Sequence, residues 1–146
     1  MSRRHHAKLA KLGRNTQQRT SLFKTQLNQL IEHGTLTTTV VKAKVIKRLF
    51  DRLSGKAVDG TLSDRRRIAA DISNPKNANK LFDLIIPAMG GRKSGFTTIQ
   101  KVGIRKGDST PTATLSLVIP MPVRPEVVKK EVVKKEPKVT KAKKAK

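Results

Sequence analysis

The chain has no cysteine, no tryptophan and no tyrosine, and only four phenylalanines in 146 residues. Without cysteine there are no disulfides and no thiolate metal sites, which suits a cytoplasmic protein. With so few aromatic rings there is almost nothing from which to build a platform for stacking single-stranded bases. No apolar run approaches the roughly 18 residues of a membrane-spanning helix. The N-terminus has charges but no apolar h-region, so no secretory signal is visible. Three histidines are present. His5-His6 and the distant His33 make no recognisable metal site, and no metal is expected. Serine, histidine and aspartate occur without the spacing of a nucleophile and its base, no cofactor motif is present, and the chain does not read as an enzyme or as binding a small-molecule substrate.

Acidic residues are also few. Ten of them face 33 lysines and arginines, giving a net charge of +23 and a pI near 11.3. Such a balance points to a nucleic-acid partner ahead of a membrane surface. The charge is most one-sided over residues 2–24, where Arg3, Arg4, Lys8, Lys11, Arg14, Arg19 and Lys24 occur without an acid. A segment of this kind repels itself and needs a polyanion to lie against. Its arginines matter, because the guanidinium fork meets phosphate with two hydrogen bonds and a solvating tail has no need of that. With little aromatic surface available, contact should go to phosphates and overall shape.

The length predicts one domain, divided into a basic RNA-binding arm over 1–19, a globular domain over 20–122 and a lysine-rich tail over 123–146. The arm reads as extended, its weak helical periodicity interrupted by Gly13. From Thr20 the period becomes helical: Phe23, Leu27, Leu30 and Ile31 share one face, Thr20 or Ser21 can cap the start, and Gly34 supplies the stop. His33 sits where a cation meets the negative end of that helix dipole. Residues 35–39 are β-branched and too few for a helix, hence a short strand. A second helix is expected over 40–54, with Val41, Val45, Leu49 and Leu53 on its stripe, Ile46 and Phe50 widening it, and Gly55 and Gly60 at its frayed end. A third, over 63–72, turns Ile68, Ala69 and Ile72 inward and carries Asp64 in its first turn. Asn74-Pro75 then reads as N-cap and first helical residue of a fourth, which buries Ala78, Leu81, Phe82 and Ile85 and ends at Pro87 and Gly90-Gly91. Strands are expected over 96–104 and 112–119, paired as a hairpin around Gly107-Asp108. The 35–39 strand is their third member. The fold class is therefore α+β: about four helices packed on a small, mostly antiparallel three-stranded sheet, with the arm before it and a disordered tail after it. Ten basic residues from Arg124 onward face only Glu126, Glu131 and Glu136, the composition of a solvated or polyanion-associated tail.

Residues 90–95, Gly-Gly-Arg-Lys-Ser-Gly, invite comparison with a nucleotide-binding loop but fail it. That loop needs glycine directly before Lys-Ser, a strand before and a helix after. Here Arg92 precedes Lys93, a helix comes before and a strand follows. Backbone contact with RNA is the better reading, through Arg92 and Lys93. Asp51, Asp59, Asp64 and Asp83 lie among basic residues on helices and read as solvated salt-bridge partners.

Several stretches together resemble the bacterial large-subunit ribosomal protein L-seventeen family. They are residues 11–14 (Lys-Leu-Gly-Arg) with Arg19; residues 30–34 (Leu-Ile-Glu-His-Gly) with Thr37-Thr38 and residues 42–44; residues 79–83 (Asn-Lys-Leu-Phe-Asp); residues 95–97; and residues 101–108, ending Arg-Lys-Gly-Asp. The resemblance covers residues 3–119. It implies a structural constituent of the large (50S) subunit, located on the cytoplasmic ribosome, bound to 23S rRNA and next to large-subunit protein L-thirty-two. Lys11, Arg14, Arg19, Arg105 and Lys106 become rRNA contacts. The chain departs from the family at its opening residues, at Gln18, where a histidine is usual, and at Thr98, where an arginine is usual. A nucleoid-type DNA-binding protein is the rival that composition alone permits, but there is no helix-turn-helix spacing and no wedge hairpin.

Overall fold

The computed structural model describes residues 10–120. In chain order these form α1 (Thr16–His33), β1 (Thr35–Thr39), α2 (Val40–Asp59), α3 (Leu62–Ile72), a helical segment α4, β2 (Thr97–Ile104) and β3 (Pro111–Leu117). α4 begins as Pro75–Lys80, widens to a π turn at Leu81–Ile85 and closes with Ile86–Ala88. Four helices and a three-stranded antiparallel sheet are the α+β architecture that the sequence predicts. The opening of the arm and most of the tail lie outside the described residues.

α2 is the element that every other one packs against. Ala43, Ile46, Phe50, Leu53 and Ala57 are buried along it, a repeat of three and four residues that keeps one face inward. Opposite them stand Leu30 and Ile31 of α1, Ile68 and Ile72 of α3, Leu81 and Ile85 of α4, and Leu115 of β3, all at most 1% exposed. Phe50 is fully buried at the centre; removing a ring from such a place costs about 3–5 kcal/mol. Val41, expected on this stripe, is 51% exposed. The rest of the expected stripe is inward: Val45, Ile46, Phe50 and Leu53 are buried and Leu49 packs against the core. The helix also passes through Gly55 and stops at Gly60, whose left-handed φ of 67° lets its amide reach the Lys56 carbonyl.

The strand order is β1-β3-β2, with β3 central and both pairings antiparallel. Ala113, Leu115 and Leu117 alternate toward the helices, the period-two pattern visible in the sequence. The opposite face is polar, and there Thr37 and Thr114 face each other across the β1–β3 ladder with hydroxyls 3.2 Å apart. β2 is an edge strand with a bulge between Lys101 and Gly103. Val102, the residue the bulge inserts, is 65% exposed, and Ile104, opposite Pro111 near the hairpin end, is 72% exposed.

Local chemistry sets the helix ends. Thr61 caps α3 by accepting the Asp64 amide at 3.2 Å, and Asn74 caps α4 by accepting the Lys76 amide at 3.1 Å. Pro87 has no amide to donate back into the helix, and the π turn ends two residues before it, at Ile85. α1 starts at Thr16 after Asn15, not at Thr20. Thr20 and Ser21 cap nothing: the Thr20 hydroxyl donates to the Thr16 carbonyl within the helix. The first turn carries no apolar residue, so the hydrophobic pattern could not show it, whereas extending a formed helix by a turn is easy. On α3, Ala69 faces solvent and only Ile68 and Ile72 are buried.

Candidate nucleic-acid interface

Residues 10–15 are not an extended arm. Ala10 and Leu12 pack against the hydrophobic core. Leu12 and Gly13 both have left-handed φ, 56° and 62°, and the Arg14 amide closes the turn on the Lys11 carbonyl at 3.2 Å. A left-handed leucine costs about 1 kcal/mol, which burial of its side chain offsets. The result is a tight turn anchored from below that presents Lys11 and Arg14, both exposed. Arg14 is steadied by donating to the Leu12 carbonyl at 3.0 Å. Arg19 follows on the first turns of α1, half-buried, with its guanidinium 3.2 Å from the Arg14 carbonyl. These three therefore form one connected basic corner. Arg3, Arg4 and Lys8 belong to the same segment but lie outside the described residues.

Lys24 does something else. Its ammonium donates to the Ala70 carbonyl at 2.9 Å and the Ser73 hydroxyl at 3.0 Å, satisfying the C-terminal end of α3. One turn along α1, Asn28 donates to the Ile72 carbonyl at 2.8 Å. Lys24 and Asn28 thus work as a pair that ties α1 to α3. Lys80 plays the same part for α1, donating to the Glu32 carbonyl at 2.8 Å.

Arg92 and Lys93 are exposed in the glycine-rich loop. Its glycines 90, 91 and 95 all take positive φ, which lets the loop turn without strain. The loop lies along α2, where an added Cβ at Gly55 would stand 3.9 Å from the Lys93 carbonyl. Its exit is fixed by Asp51, whose carboxylate accepts the Phe96 amide at 3.1 Å. Asp51 is therefore a structural anchor as well as a charge on a basic helix. Asp64 likewise joins the cap of α3 by accepting the Thr61 hydroxyl.

Arg105 and Lys106 occupy the tip of the β2–β3 hairpin. Arg105 makes a two-point contact with Asp108, its Nε donating to Oδ1 at 3.0 Å and Nη2 to Oδ2. The hydrogen bonds from Arg105 and from Thr110 hold the Asp108 carboxyl well below the usual carboxylate range. The same contact raises the guanidinium's affinity for its proton. Arg105 is exposed at the tip but already paired, and Lys106 beside it is exposed as well. The spacing of residues 105 and 108 signals a tip turn but not which side chain clamps which.

Sequence reasoning passed over α3, where Arg65, Arg66 and Arg67 are all exposed. The guanidinium carbon of Arg65 lies 4.7 Å from the centre of the Phe82 ring. A run of three arginines was the available signal. Among the described residues no group of three or more histidine, aspartate or glutamate side chains could hold a metal ion, and no helix is long and apolar enough to cross a membrane.

Comparison with known proteins gives the chain's family. Residues 22–118 match the model of the family described as Ribosomal protein L17. The chain belongs to that family. Relatives named large ribosomal subunit protein bL17 include that of Fervidobacterium nodosum, 38% identical over 125 residues, covering 79% of this chain and 98% of that protein. The Coprothermobacter proteolyticus protein is 39% identical over 110 residues, covering 75% and 94%, and the Thermotoga maritima protein is 34% identical over 123 residues, covering 79% and 94%. The L17 family is one of bacterial large-subunit ribosomal proteins, structural constituents of the translating ribosome in the cytoplasm and not enzymes. Membership decides against the nucleoid alternative. The family match stops at 118, so the lysine-rich tail stands outside it.

Proposed function

We propose that this protein binds 23S rRNA within the large subunit and stabilises it by neutralising phosphates. The observation that carries the reading is a net charge of +23 on 146 residues in a member of a ribosomal-protein family. The RNA-facing groups are Arg3, Arg4 and Lys8 of the arm, Lys11, Arg14 and Arg19 of the basic corner, Arg92 and Lys93 of the glycine-rich loop, and Lys106 of the hairpin tip. Arg105 contributes through the geometry of the tip, and Lys24 through the packing of α1 on α3. Among the described residues, Lys11, Arg14, Arg92, Lys93 and Lys106 are exposed to an approaching RNA strand. Neutralised phosphates release counterions, so affinity falls steeply with salt. Residues 1–19 act as the principal RNA-binding unit, and the domain aims them.

The protein neighbour is large-subunit protein L-thirty-two. What supports a protein contact is the free edge of β2, where Val102 and Ile104 are exposed beside unpaired strand backbone. The test is sedimentation. The protein should travel with the large subunit through a high-salt wash, and the purified chain should bind 23S rRNA with a steep negative dependence on salt. Recovery in the supernatant at moderate salt, with equal affinity for duplex DNA, would argue against the assignment.

A further inference from the structure

The groove between α3 and α4 is lined by Arg65, Arg66, Ala69, Pro75, Asn79 and Phe82, and it encloses about 230 Å³. Small-molecule sites usually enclose about 300–1,000 Å³, so this one suits a chain lying across it better than a ligand swallowed by it. Its floor is made of small side chains and one ring. Phe82 is 9% exposed, too deep to stack a base itself. What it does is hold the Arg65 guanidinium above it by a cation–π contact. Arg65 is exposed, so the group fixed on the ring is presented to solvent.

The distribution of charge on α3 singles out this flank. At 100° per residue, Arg65, Ala69 and Arg66 fall together on the side toward α4. Asp64 and Asp71 fall on the other side of the buried pair Ile68 and Ile72. Asp71 accordingly lines the separate groove between α1 and α2, with Arg19, Lys24 and Arg52, while neither acid lines the α3–α4 groove. Lys76, next in sequence to the groove residue Pro75, is exposed in the first turn of α4.

We propose that the α3–α4 groove is a second RNA-docking face: a single strand of ribosomal RNA crosses it with a phosphate on Arg66 and a base or ribose against the Arg65 guanidinium held on Phe82. The proposal rests on the rRNA-binding reading above. It adds a site on α3 and α4 and one that reads an unpaired strand, for which the rest of the chain has few aromatic groups. Arginine planes stack on bases as rings do, and a guanidinium already fixed on a ring loses less freedom on binding.

The experiment titrates purified 23S rRNA with the full-length chain over a range of salt concentrations. Arg66→Gln should lower affinity and reduce the slope of log K against log salt by about one, the signature of one lost phosphate contact. Arg65→Lys keeps the charge but loses the plane, and should weaken binding without changing the slope. Arg67→Gln removes the same charge from the opposite flank of α3 and should change both quantities less than Arg66→Gln. Combining Arg66→Gln with Arg14→Gln should give additive losses, as expected of separate contacts. If Arg66→Gln and Arg67→Gln weaken binding equally, or if Arg66→Gln binds like the unaltered protein while that protein binds rRNA tightly, the groove is not a docking face and the general reading stands. If the unaltered protein does not bind rRNA at all, both fall.

Discussion

Lys24 is a cation whose partners are inside the protein. Two hydrogen bonds, at 2.9 and 3.0 Å, commit its ammonium to the Ala70 carbonyl and the Ser73 hydroxyl. The sequence places it in a run of seven uncompensated charges and gives it no distinguishing mark. Its real assignment depends on α3 ending beside it, which only the folded chain determines. The expected consequence separates it from its neighbours. Lys24→Met should lower stability by about 1 kcal/mol, the net worth of such a bond at a partly exposed site, seen as a reduced melting temperature. It should leave the salt dependence of rRNA binding almost unchanged, whereas Arg14→Gln should do the opposite. A slope lowered by one in Lys24→Met would place its ammonium on a phosphate instead. Arg105 follows the same logic at the hairpin tip, where Asp108 already occupies its fork. Charge counted along a sequence therefore overstates the charge offered to a partner.

Elements were legible to the extent that their own side chains carry the pattern. β3 alternates cleanly because one face is buried and the other is not. The Asn74-Pro75 start of α4 was readable because capping is a local event. The first turn of α1 was not, since Thr16 to Gln18 are exposed and polar and their helicity is borrowed from the turns that follow. Arg65 on Phe82 was also hidden, because it joins two helices whose approach is decided by the core. The last five residues of α2 were obscured by Gly55, which looks like a terminus and is not. Gly55 is half-buried in a regular helix, and an added Cβ would meet only the Lys93 carbonyl at 3.9 Å, an ordinary contact. Nothing there requires a glycine. Gly55→Ala should therefore raise stability by about 0.5–1 kcal/mol through the lower backbone entropy of the unfolded chain. Thermal unfolding would report it as a gain of several degrees, and a loss would mean that the loop at Lys93 sits closer to α2 than 3.9 Å allows.

At the scale of the whole molecule, a body with one core carries charge at several separate places: the basic corner, the glycine-rich loop, the hairpin tip, α3 and the two ends of the chain. These do not weigh equally if binding rests on defined phosphate contacts. Residues 1–9 contain three cations, Arg3, Arg4 and Lys8, and no acid; residues 126–146 contain nine lysines against three glutamates. If attraction were diffuse, removing 126–146 would flatten the salt dependence about twice as much as removing 1–9, in proportion to a net six charges against three. Contacts made by arginine forks predict the reverse order. Residues 1–9 lead directly into a turn whose Leu12 is packed on the core, and two of their three cations are arginines, whereas the tail's positive charge over 126–146 is all lysine. Deleting 1–9 should therefore reduce the slope of log K against log salt by about 2–3, near 0.7–0.9 per contact, with the fold intact because Ala10 and Leu12 remain. Deleting 126–146 should reduce it by less. A larger drop on losing the tail would mean that the protein is held to ribosomal RNA by its overall charge, and that the arm has no privileged place.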